Sequence, residues 1–154
     1  MNANHQMKKP VSLQKGFTLI EAFITVTILG VLGSVAVNVY YDYVVRIKVS
    51  EISSVIAPIQ TGISFEVSLS GRLPDSLASI DYVSNSSTAF SGDYVSSVSV
   101  TNIGAIRIQL KTLADLRTAS GTSVVYSPIW SFGAPNVKWS VSGTVPGKYM
   151  PDGY

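Results

Sequence analysis

The chain has 154 residues, 46% of them apolar and only 13% charged, with no cysteine, a single histidine and a formal net charge of +2. The missing cysteines exclude a disulfide framework, a thiolate nucleophile and any Cys-ligated metal. The lone histidine, His5, leaves nothing downstream of it for a His-based triad or metal cluster. Three of the eleven basic residues (Lys8, Lys9 and Lys15) fall in the first sixteen positions with no acid beside them. Beyond that segment eight bases face nine acids, so the body is not a basic nucleic-acid binder and direct contact with nucleic acid is not expected.

Met1 to Gly16 is polar and basic, and Phe17 to Tyr41 follows as 25 residues whose only charge is Glu21. As a helix this run extends roughly 37 Å, enough to cross a hydrocarbon core of ~30 Å. Lysines before it, and Asp42 and Arg46 after it, orient the N-terminus toward the cytoplasm. A secretory signal peptide has a shorter apolar region ending in small residues at its cleavage site, and this run matches neither feature. A plain signal anchor explains the hydropathy equally well.

Beyond Tyr41 the apolar residues Ile52, Val55, Ile56, Ile59 and Ile63 recur at helical spacing, predicting that the helix continues from about Phe17 to Leu69 with one face buried. Ser68-Leu69-Ser70-Gly71 and the later Pro74 supply its stop, and Pro58 is expected to kink it. Residues 71–94 read as a connecting loop with a short helical turn near Asp75 to Ile80, and the hydroxyl-rich stretch Ser84 to Ser99 as solvated. Alternation then predicts strands through Val98 and Val100, through Ile106, Ile108 and Leu110, over Ser123 to Trp130, and over Asn136 to Ser142. Thr112 to Thr118 stays ambiguous. The expected class is α+β, with three or four antiparallel strands packed on the outer half of a long N-terminal helix.

The junction Gly16-Phe17-Thr18-Leu19-Ile20-Glu21, with a basic leader before it and an apolar run after it, resembles the processing site of type IV prepilins and the related pseudopilins. Tyr40-Tyr41-Asp42-Tyr43, and the C-terminal Val137-Lys138-Trp139-Ser140-Val141 and Gly147-Lys148-Tyr149-Met150-Pro151, are also similar to type IVa pilins. The resemblance implies the pilin fold and cleavage after Gly16 by a membrane peptidase, which also methylates the new Phe17 amine. It implies a leader over 1–16, a transmembrane and assembly helix over 17–41 and a globular head over 42–154. Within the head it implies helix to about residue 70, sheet over 95–142 and a C-terminal loop over 143–154. It further implies a homo-oligomeric extracellular filament built from an inner-membrane precursor. The partners implied are the prepilin peptidase, an assembly platform, cytoplasmic ATPases and an outer-membrane secretin. No cofactor is implied. Two departures stand out: Val141 and Tyr154 occupy positions where relatives carry a disulfide, and Asn38 stands where relatives often have proline.

Glu21 is the first candidate site residue, because a carboxylate in an apolar run needs a partner and cleavage creates one in the Phe17 amine. The resemblance implies that the pairing is with a neighbouring subunit's amine; the alternative is a glutamate favouring its own helix N-terminus. Gly30, Gly33 and Ser34 place small residues on the anchor, for close helix packing or for local unwinding, and with Asn38 and Pro58 they are the candidate points of helix flexibility. Phe17, Phe23, Tyr40, Tyr41 and Tyr43 read as packing and interfacial groups before any charge-transport role. Two alternatives to a pilus subunit for adhesion, motility or DNA uptake remain: a type II secretion pseudopilin, or a minor pilin acting as a ligand- or DNA-binding tip. Arg72, Arg107, Lys111 and Arg117 are a thin basic patch for the latter. No motif supports an enzyme.

Overall fold

In a computed structural model of the chain, the described residues are 16–80, 83–84, 86–134 and 136–151. The basic leader through Lys15, and Tyr154, lie outside them. The chain divides into two units, residues 1–38 and 39–154.

The class is α+β, with a long N-terminal helical stretch and a four-stranded antiparallel sheet. Helix α1 spans Leu19–Val49 and helix α2 spans Glu51–Ser70. The helix therefore starts two residues later than expected and has one interruption, at Ser50. That interruption is slight: Ser50 keeps right-handed helical angles, its amide still reaches Arg46 O at 3.0 Å, and its carbonyl takes Ser53 N–H at 3.1 Å in a tighter turn. Pro58 sits exposed inside α2, and the helix runs through it without a break. Gly71 closes α2 at φ 66°, donating its N–H to Val67 O at 2.9 Å, a left-handed cap that favours glycine.

Within the second unit, Val45, Val49, Ile52, Ile56, Ile59, Ile63 and Val67 form one buried stripe that passes through Ser50 without losing register. Spacings of three and four keep these side chains on one helical face. Each such isoleucine contributes about 1.5 to 3 kcal/mol by leaving water. Opposite them in the same core lies the sheet, a simple meander of β1 (Val95–Val100), β2 (Ile106–Leu110), β3 (Ser123–Ile129) and β4 (Lys138–Gly143) in that order.

Period-2 alternation is clean in β2, where Ile106, Ile108 and Leu110 are buried and Arg107 is exposed. In β1 the buried pair is Val95 and Val98, an odd spacing that a register shift between Val95 and Ser97 reconciles. The sheet thus starts at Val95, where it was expected, and takes in the end of the hydroxyl-rich stretch, because two valines there complete the core. Pro128 is tolerated in β3 because pairing with β2 ends at Tyr126, leaving no ladder bond on that side for its missing N–H.

Short 3-10 turns at Leu77–Ser79 and Ala114–Ala119 occupy the expected helical turn and most of the ambiguous segment. The connection into β1 is tied to α2 by Glu51, whose carboxylate accepts the amides of Asp93 and Tyr94, each at 2.7 Å. A Cβ at Gly92 would overlap that carboxylate, so a larger residue there would push Glu51 off the two amides.

Candidate functional site

In the first unit every described residue is exposed, among them Phe17, Leu19, Ile20, Phe23 and Ile24. The helix that begins here is long and apolar enough to cross a membrane. Its six polar side chains are turned inward on the helix itself. Thr25 Oγ1 donates to Glu21 O at 2.7 Å, Thr27 Oγ1 to Phe23 O at 2.8 Å, Ser34 Oγ to Val31 O at 2.7 Å, and Asn38 Nδ2 to Ser34 O at 3.1 Å. Hydroxyls and amides that bond back to their own backbone leave an outward surface of hydrocarbon, as a water-free environment demands.

The remaining two polar residues form the helix start. Glu21 N donates to Thr18 Oγ1 at 3.3 Å, and Thr18 Oγ1 donates to Glu21 Oε2 at 3.5 Å. Thr18 is therefore the N-cap and Glu21 the third helical residue, a reciprocal arrangement related to a capping box. Glu21 lies in the first turn of α1, where the helix dipole favours a carboxylate, and Phe17 lies just outside the helix. Thr18 was not singled out from sequence, although the T-x-x-E spacing carries the signal. Around Gly30 and Gly33 a Cβ would meet nothing within 4 Å, so the space that small residues leave is open in a single chain.

A second constellation lies in the second unit, at the base of the head. Asp42 on α1 accepts Lys148 Nζ at 2.8 and 2.9 Å and the Tyr149 hydroxyl at 2.5 Å. Arg46, one turn later, donates to Lys148 O at 2.8 Å (Nη2) and 3.2 Å (Nε). This polar strap holds the C-terminal turn Gly147–Tyr149 against α1, with the Tyr149 ring buried beneath it. The sequence-level pairing of Val141 with Tyr154 rests on a residue outside those described; Val141 itself is half-buried against the core.

The hydrogen bonds from Lys148, then from Tyr149, hold the Asp42 carboxyl below its ordinary value, and the same contact raises Lys148. A depressed carboxyl pKa contributes stability that is complete above its unfolded value and is lost as pH falls through the folded one. Asp42→Asn is therefore expected to lower the thermal midpoint at pH 7, with the gap to wild type closing below about pH 4. Circular dichroism melts of the detergent-solubilised chain across that range check it. An offset that does not shrink as pH falls below about 4 would contradict the strap.

Tyr40 and Tyr41 are tilted neighbours with ring centroids 6.3 Å apart, and the Arg117 guanidinium lies 5.1 Å from the centre of the Tyr41 ring. Lys48 reaches Asp115 at 2.9 Å. Arg72, Arg107, Lys111 and Arg117 lie after α2, within β2, after β2 and in the turn Ala114–Ala119 respectively, and no described contact joins them into one site.

Known proteins similar to this chain include a fimbrial protein of Eikenella corrodens, 28% identical over 90% of this chain and 89% of that protein. A type IV major pilin of Neisseria gonorrhoeae is 38% identical over 66% of this chain and 46% of that protein. A type IV major fimbrial protein of Dichelobacter nodosus is 44% identical over 43% of this chain and 35% of that protein. The chain thus spans most of the first relative and less than half of the other two. No family model matches the chain.

Proposed function

We propose that this chain, a member of the type IV pilin family, is a subunit that waits in the inner membrane and polymerises through its N-terminal helix into an extracellular filament. The observation that carries this reading is the first unit: an exposed apolar helix whose polar side chains all bond within it. Such a surface needs lipid around it, and then other copies of itself. At ~25 cal/mol per Å² the gain from covering it is large in either setting.

The precursor is cut after Gly16 by a prepilin peptidase, which frees and methylates the Phe17 amine. Glu21 then neutralises that amine on a neighbouring subunit, exchanging its weak contact with Thr18 for a charged partner as the helix leaves the bilayer. Gly30, Gly33, Asn38 and Pro58 supply the points at which the packed helix loosens. An assembly platform, ATPases and a secretin act on the membrane pool and the emerging filament, which serves attachment, surface motility or DNA uptake.

Shearing the native host tests the reading by location. A subunit of this kind is expected as a dominant protein of the sheared surface fraction. Confinement of the processed chain to the membrane would overturn it in favour of a secretion pseudopilin or a low-copy minor pilin.

A further inference from the structure

Arg117 is the one described non-glycine residue with positive φ, at φ 48° and ψ −121°. A side chain in that conformation is strained, and glycine would relieve it. The strained residue is an exposed arginine whose guanidinium is laid on Tyr41, the last residue of the 25-residue apolar run. Within the next two turns of α1 lie Asp42, Arg46 and Lys48, and Lys148 is brought to Asp42 by the C-terminal strap.

Four cations (Arg46, Lys48, Arg117 and Lys148) are gathered there with Asp42 and Asp115, and Glu51 and Asp93 line the same groove as Lys48. The lysines are paired with Asp42 and Asp115. The Arg46 guanidinium is bound to a carbonyl and that of Arg117 to a ring face, neither of which carries a compensating charge. Asp42 feels the field of Arg117 as well as that of Lys148. Tyr40, Tyr41 and Tyr43 stand exposed among them. Exposed tyrosines beside two guanidiniums that make no salt bridge among the described residues, one to two helical turns beyond a membrane-length apolar run, have the composition of a headgroup-facing belt.

We propose that the base of the head is a binding surface for anionic phospholipid headgroups of the outer leaflet of the inner membrane, with Arg46 and Arg117 as its phosphate-binding groups. The inference rests on the reading of Phe17 to Tyr41 as a membrane span. It adds a step to that reading: the charges that seat the head on the bilayer must be released from lipid before the subunit enters the filament. The strained backbone at Arg117 is then explained as the cost of holding its guanidinium over Tyr41, at the end of the apolar run.

The full chain is reconstituted into phosphatidylcholine vesicles containing a minor fraction of phosphatidylglycerol, and flotation scores incorporation. The chain is then extracted in mild detergent, and the retained lipids are counted by native mass spectrometry. Wild type is expected to retain phosphatidylglycerol above its input fraction, with loss of about fivefold for each cation removed in Arg117→Gly and Arg46→Ala. Arg117→Lys keeps the charge and the enrichment. Arg117→Gly suits the backbone, so its loss of lipid would not reflect misfolding. Incorporation with equal retention of both lipids, in wild type or with no change in the variants, would overturn the inference. Failure to float with vesicles of any composition would instead overturn the membrane span beneath it.

Discussion

Replacing Glu21 with alanine or glutamine is expected to lower filament yield at least about tenfold, while cleavage after Gly16 proceeds. In the proposed docking role the carboxylate enters the filament core with a charged amine as its partner, and removing one member of a buried pair costs about 3 to 5 kcal/mol. The orphaned amine has an escape, because its ordinary pKa of about 7.7 to 8.0 lets it shed its proton. Each unit by which that pKa must fall costs ~1.4 kcal/mol, so even this route leaves a tenfold deficit for every unit. The local role of Glu21 is too small to produce such a loss: its contact with Thr18 is 3.5 Å long and exposed. Thr18→Ala separates the two roles at the level of the helix start, since it removes the cap and leaves the carboxylate. Quantifying sheared filaments from cells carrying each variant, at matched levels of processed protein, makes the comparison. Normal yield with Glu21→Ala would remove the docking role.

Gly143→Ala is expected to be the most damaging single methyl group in the head. Gly143 ends β4 at φ 149°, opposite Val124, where a Cβ would overlap the Ser123 carbonyl oxygen and lie 2.9 Å from Val124 Cα. Those atoms are backbone, fixed on both sides. Thr144 N–H donates to Ser123 O at 2.8 Å, and Ser123 N–H donates to Thr144 Oγ1 at 2.9 Å. Relief therefore means peeling β4 from β3, the pairing that places Trp139 in the core. Strain of about 1 to 3 kcal/mol and overpacking of similar size together lower the melting temperature by roughly 10 to 20 °C for a domain of this size. A melt of the detergent-solubilised variant within 2 or 3 °C of wild type would show that the strand end is free to adjust.

The elements that were legible in the sequence are those whose signal is local. The stripe from Ile52 to Ile63, the Gly71 stop and the alternation of Ile106, Ile108 and Leu110 all lie where periodicity put them. The junction at Gly16 to Glu21 is legible as a motif, whereas the cap that Thr18 makes rests on a T-x-x-E spacing too common to carry weight alone. What was hidden depends on residues far apart in the chain. Glu51 gathers the amides of Asp93 and Tyr94, and Asp42 gathers Lys148 and Tyr149 across more than a hundred residues. No periodicity reports such contacts. The β1 register shift was hidden for another reason: an odd spacing between Val95 and Val98 looks like failed alternation until the extra residue is seen in the ladder.

Pro58 lies inside α2, which continues through it, and the one interruption of the helical stretch falls at Ser50. The Ser54 carbonyl lacks the Pro58 amide as a partner, and both residues are exposed. At Ser50, by contrast, the side-chain hydroxyl donates to Ile47 O at 2.6 Å and competes with the helix's own ladder.

The measurement that bears most directly on the whole account is the intact mass of this chain in filaments sheared from its native host. The account predicts one dominant species lacking Met1 to Gly16 and carrying one added methyl group on Phe17, before any surface modification. A chain that keeps its leader in both filament and membrane fractions would contradict it.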